Sequence, residues 1–96
     1  MHMSKKTVSI RREFIIKNKL GLHARPVAMF VKTANRFESD IMVEKNNETV
    51  NGKSIMGMMM LAAGKGSIIN ISATGPDAEE ALEELGKLIE AKFDEE

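Results

Sequence analysis

An imidazole and a guanidinium two residues apart are the groups in this chain best suited to chemistry. They stand in Gly21-Leu22-His23-Ala24-Arg25-Pro26. The sequence has two histidines, and the other, His2, lies in an opening Met-His-Met that reads as a cloning remnant. A neutral imidazole has a free lone pair near pH 7, because its ordinary pKa is ~6.5. It can attack without a general base. A phosphoryl group taken onto the ring brings negative oxygens that need donors. Arg25 offers a fixed guanidinium for them, and the first amides of a helix would offer more. One histidine without cysteine is not a zinc site, so neither a metal nor a cofactor is expected. Spacing alone leaves the bland alternatives open: a histidine before a helix is more often a polar cap or a surface residue, and Arg25 alone reads as a solvated charge.

Hydrophobic periodicity supplies the elements that must hold these groups. Residues 7–17 alternate, with Val8, Ile10, Phe14 and Ile16 on one face and Ile15 breaking the pattern, which predicts a half-buried strand. From Ala24 the period changes. Val27, Phe30, Val31 and Ala34 follow the spacing of an amphipathic helix, and Pro26 falls in its first turn, where a missing N–H costs nothing. That helix should begin close to His23. Two short strands follow, over 39–44 and 48–51, joined by Asn46-Asn47, a pair that tolerates positive φ. Ser54 stands as the N-cap of a second helix over 55–61, with Gly64-Lys65-Gly66 to close it. Residues 67–74 alternate again. Asp77 and Glu80 form a capping box for a last helix, marked by Ala78, Ala81, Leu82, Leu85, Leu88, Ile89 and Phe93, in which Gly86 is either tolerated or a close-packing site. The order is βαββαβα. Half-polar strands predict an α+β fold, an antiparallel sheet with helices over one face.

Composition narrows the function. Ninety-six residues make one domain over 7–96, after an N-terminal stretch, 1–6, expected to be disordered or cloning-derived. Such a chain has no room for a deep enclosed cleft beside a core, so its chemistry should sit on the surface. Lys plus Arg and Asp plus Glu both number 14, without the basic excess of a nucleic-acid binder. Tryptophan and tyrosine are absent, which removes a base-stacking platform. Absent cysteine favours a reducing cytoplasm, and no apolar run approaches a membrane span.

Two motifs give the chain a family resemblance: Gly21-Leu22-His23-Ala24-Arg25-Pro26, and Asn51-Gly52-Lys53-Ser54-Ile55-Met56-Gly57-Met58-Met59-Met60-Leu61-Ala62. Together, in this order, they resemble the HPr family, the histidine-containing phosphocarriers of the bacterial phosphoenolpyruvate-dependent sugar phosphotransferase system. The likeness runs from about Thr7 to Phe93. It implies an open-faced β-sandwich, a four-stranded antiparallel sheet with three helices on one face. It implies that enzyme I phosphorylates His23 on Nδ1 and that the group passes to a sugar-specific enzyme IIA, so that the protein is an intermediate in phosphotransfer rather than a true catalyst. Arg25 matches the family's phosphate-contacting arginine, and Ser54 the regulatory serine modified by an HPr kinase/phosphorylase. Ala24, Ala28, Ile55, Met56 and Met59 match a shared docking patch. The intact histidine motif argues against the variant branch that has lost the histidine.

On the residues themselves, Ser54 is an N-cap, and a phosphate at a helix N-terminus is compatible with that role. Four methionines in a seven-residue helix exceed what so short a helix can bury. Adaptable methionine suits a surface that serves several partners, and here it would be rimmed by Arg25, Lys32 and Lys53. The expected protein is a cytoplasmic monomer that binds neither nucleic acid nor membrane. The alternative is a regulatory binding module acting through phospho-Ser54 and the Met-rich patch on transcription or nitrogen-related partners. A ligand-sensing domain is a third possibility, without a pocket-forming signature in the sequence.

Overall fold

Alternation is what makes the first strand. In the computed structural model, which describes residues 8–95, β1 (Val8–Ile15) buries Phe14, and the chain carries the same face on to the buried Ile16. Val8 lies at the end of the sheet and is exposed despite its place in the pattern. Helix α1 (Ala24–Ala34) begins one residue after His23 and buries Pro26, Val27, Phe30, Val31 and Ala34. Strands β2 (Asp40–Lys45) and β3 (Glu48–Asn51) form a hairpin. Asn46 and Asn47 take φ of 48° and 67° there, the left-handed pair that a tight primed turn requires.

Helix α2 (Ile55–Leu61), strand β4 (Ile68–Gly75) and helix α3 (Ala78–Glu90) complete the predicted order. The sheet runs β1-β4-β2-β3, antiparallel throughout. Ile69, Ile71 and Ala73 of the central β4 pack with Ile41 and Val43 beneath the helices. The opposite face is polar: Ser9 bonds Thr74 at 3.0 Å, and Arg11 reaches Glu44 at 2.6 Å. The fold is thus the open-faced α+β sandwich expected. The expected tail, 1–6, lies outside the described residues.

Three local expectations fail. Asp77 and Glu80 make no capping box. The Asp77 carboxylate instead accepts from the Ser39 amide (3.0 Å), the Ser39 hydroxyl (2.6 Å) and the Glu38 amide (3.0 Å), and its side chain makes no cap bond. These bonds hold its carboxyl below the ordinary carboxylate value, with the Ser39 hydroxyl the largest cause and the Glu38 amide next. The interaction ties the start of α3 to the start of β2. Helix α2 closes at Ala62, in left-handed conformation (φ 51°), ahead of Gly64, with the Ala62 amide on Met59 O. Last, α3 does not reach Phe93. The chain leaves it at Glu90, and Lys92, Phe93 and Asp94 take φ of 57°, 54° and 61°, a left-handed turn that buries Phe93. Gly86 is the close-packing site: a Cβ there would lie 3.0 Å from the Phe14 ring.

Candidate functional site

His23 owes its position to a short loop with little freedom. Buried Asn18 accepts from the Gly21 amide through its carbonyl (3.1 Å), and its Nδ2 donates to the Gly21 carbonyl (2.7 Å). Gly21 has φ 70°, and a Cβ there would meet the Ala63 carbonyl at 2.5 Å, so glycine is required. The next amide, Leu22, donates to that same carbonyl at 2.8 Å. The end of α2 is thereby fixed against the loop that carries His23.

His23 is itself the N-cap residue of α1, extended (φ −96°, ψ −169°), with no side-chain cap bond. Its ring is therefore free for other work, and its side chain is 37% exposed. The amides of Ala24 and Arg25, the first two of the helix, have no acceptor among the described residues. With the helix dipole they form a site for negative oxygens, and the Arg25 side chain is beside it. The structure thus brings together the imidazole, the guanidinium and the helix start that the sequence placed in order.

Sequence reasoning missed two participants. Glu95 lies against the ring: its Oε2 is 2.9 Å from His23 Nε2 and 3.3 Å from Arg25 Nη1, and its Oε1 accepts from Asn18 Nδ2 at 3.0 Å. The Asn18 amide, above all, holds the Glu95 carboxyl below its ordinary value against the opposing cost of burial; His23 and Arg25 act in the same direction. Asn18 could have been noticed as a turn-forming residue ahead of Gly21. Nothing marked Glu95, which sits in an acidic run that reads as solvated. The left-handed turn before it has neither glycine nor asparagine to announce it.

Ser54 caps α2, accepting from the Gly57 amide at 3.0 Å. Ile55, Met56, Met59 and Met60 are 56%, 72%, 43% and 67% exposed, whereas Met58 and Leu61 are buried, so the helix divides its side chains between core and surface. Ala24 and Ala28 are exposed on α1. Of the expected basic rim, Arg25 and Lys32 are exposed. Lys53 is half-buried and donates to the Phe37 carbonyl at 2.7 Å, which corrects its reading as a free rim charge. Among the described residues no group of His, Cys, Asp and Glu could hold a metal, and no helix is long and apolar enough to cross a membrane.

The chain is similar to known proteins over most of its length. A family profile described as "PTS HPr component phosphorylation site" matches residues 10–91. The phosphocarrier protein HPr of Neisseria meningitidis is 49% identical over 86 residues, which are 90% of this chain and 97% of that one. Among solved structures, HPr-C-His from Thermoanaerobacter tengcongensis superposes with a TM-score of 0.83 at 54% identity, covering 96% of this chain and 99% of the other. Crh of Bacillus subtilis, a catabolite-repression protein solved as a dimer with a swapped domain, superposes with a TM-score of 0.70 at 41% identity, covering 96% and 97%.

Proposed function

The chain belongs to the HPr family of phosphocarriers, and on that premise we propose that His23 accepts the phosphoryl group, on Nδ1, from phospho-enzyme I and passes it to a sugar-specific enzyme IIA in the cytoplasm. The observation that carries this reading is the half-exposed imidazole at the start of α1, beside two amides without acceptors. Attack needs only the ring's lone pair. The new phosphoryl oxygens then find the Ala24 and Arg25 amides and the Arg25 guanidinium. Arg25 acts by stabilising charge and does not bond the reacting nitrogen.

The exposed Ile55, Met56 and Met59, with Ala24 and Ala28, form the docking surface for these partners, and Arg25 and Lys32 favour acidic ones. Phosphorylation of Ser54 by an HPr kinase/phosphorylase would place up to about two negative charges on that surface while keeping the helix end capped. Docking of acidic partners then weakens. A second reading, a regulatory module acting through phospho-Ser54, draws support from the likeness to Crh. Incubation of the protein with phosphoenolpyruvate and enzyme I separates the two. Acid-labile phosphate that disappears in His23→Ala supports the relay. An unlabelled His23, with Ser54 labelled by ATP and the kinase, supports the module. Arg25→Ala should fold normally and transfer more slowly; unchanged transfer removes Arg25 from the site. The dimeric relative puts the expected monomer in question, and sedimentation at two concentrations decides between one chain and two.

A further inference from the structure

The C-terminal turn brings a carboxylate to the imidazole from 72 residues away in sequence. We propose that Glu95 is a positioning residue for phosphoryl acceptance: it accepts the proton-bearing side of His23, Nε2–H, and so leaves the lone pair on Nδ1. This deepens the phosphocarrier reading and rests on it.

The geometry carries the proposal. Oε2 lies 2.9 Å from Nε2, while Nδ1 makes no hydrogen bond within the described residues. An imidazole that donates from one nitrogen presents its lone pair on the other, and the partner of the first nitrogen fixes both tautomer and ring orientation. The carboxylate is itself held. Asn18, fully buried, donates to Oε1, and Arg25 donates to Oε2. Three successive left-handed residues without glycine bring the chain back to this point, with Phe93 buried at their centre. Such a turn persists only where its surroundings determine it.

The charge balance of the step points the same way. The Nδ1 lone pair forms the new N–P bond, and the electron pair of the broken bond leaves with the donor. Nε2 keeps its proton, so a positive charge appears on the ring. A carboxylate at Nε2 meets that charge as it forms. The carboxylate and the incoming phosphoryl group use different ring nitrogens and do not compete for one position.

The test reads the ring directly. Nitrogen-15 NMR of His23, at a pH where the ring is neutral, should show Nε2 protonated in the wild type. In Glu95→Ala the shifts should move toward the mixed tautomers of a free histidine, whereas Glu95→Gln, still an acceptor, should keep the wild-type pattern. Single-turnover acceptance from phospho-enzyme I should slow roughly tenfold in Glu95→Ala, the loss of one charge-assisted hydrogen bond, and recover in part in Glu95→Gln. Asp94→Asn, next in the chain, should leave both readouts unchanged. Identical ring shifts in the wild type and Glu95→Ala, or equal acceptance rates, overturn the proposal. Because the NMR measurement needs no phosphoryl donor, it tests the Glu95 contact even where the relay itself fails.

Discussion

Replacing Phe93 with alanine should release the C-terminal turn without unfolding the domain. Phe93 is 1% exposed, at the centre of three residues with φ between 54° and 61°. Each left-handed residue other than glycine costs ~1–2 kcal/mol, which gives the turn roughly 3–6 kcal/mol of strain. Burial of the phenylalanine ring offsets about 1.5–3 kcal/mol of this. The Asp94 and Glu95 amides, on Ala91 O and Lys92 O, and the hydrogen bonds to Glu95 supply the rest. The margin is thin, so without the ring the remaining hydrogen bonds no longer offset the strain and the turn opens. It opens to solvent instead of enclosing a cavity. Opening also releases the strain, so the loss should not exceed the burial contribution, ~1.5–3 kcal/mol, and stays below the ~3–5 kcal/mol of a phenylalanine truncated inside a sealed core. For a domain of this size Tm then falls by no more than roughly 24 °C. Thermal unfolding followed by circular dichroism measures that fall. Amide exchange of residues 92–95 reports the opening, and the His23 ring should show the spectrum of Glu95→Ala. A larger stability loss, with Glu95 still on His23, would show that the ring belongs to a closed core and refute the reasoning.

Three further outcomes are expected. Ser54→Ala should cost about 1 kcal/mol through the lost cap, and Ser54→Asp, also a good cap residue, should be near neutral in stability while weakening partner docking; urea midpoints and titration calorimetry give the two numbers, and equal docking would count against the charge argument. Gly75→Ala should cost more than ~2 kcal/mol, since its backbone has φ 151° and a Cβ would lie 2.5 Å from the Ser39 hydroxyl oxygen; a urea midpoint close to wild type would contradict the packing described. The Asp77 carboxyl titrates below its ordinary 3.8 in the folded state, so the unfolded chain takes up the proton first. Its contribution is present above that ordinary value and is lost as pH falls through the lowered one. Wild type should therefore lose more stability than Asp77→Asn between roughly pH 5 and pH 2, and parallel acid profiles would exclude the Ser39–Asp77 link.

Sequence alone determined the elements and the setting of His23 ahead of a helix. Alternation over β1 and β4, helical spacing over α1 and α3, and the Asn46-Asn47 turn all report interactions within a few residues, where residue type and period decide conformation. His23 ahead of Ala24 and Pro26 is local in the same sense. Tertiary structure alone decided what Asp77 and Glu95 do. Asp77 passes over its own helix because Ser39 and Glu38, 38 and 39 residues away, offer better-placed donors. Glu95 reaches His23 only because burial of Phe93 holds a left-handed turn that local propensity disfavours. Contacts of that separation depend on where the whole chain packs, and no spacing of residue types encodes them.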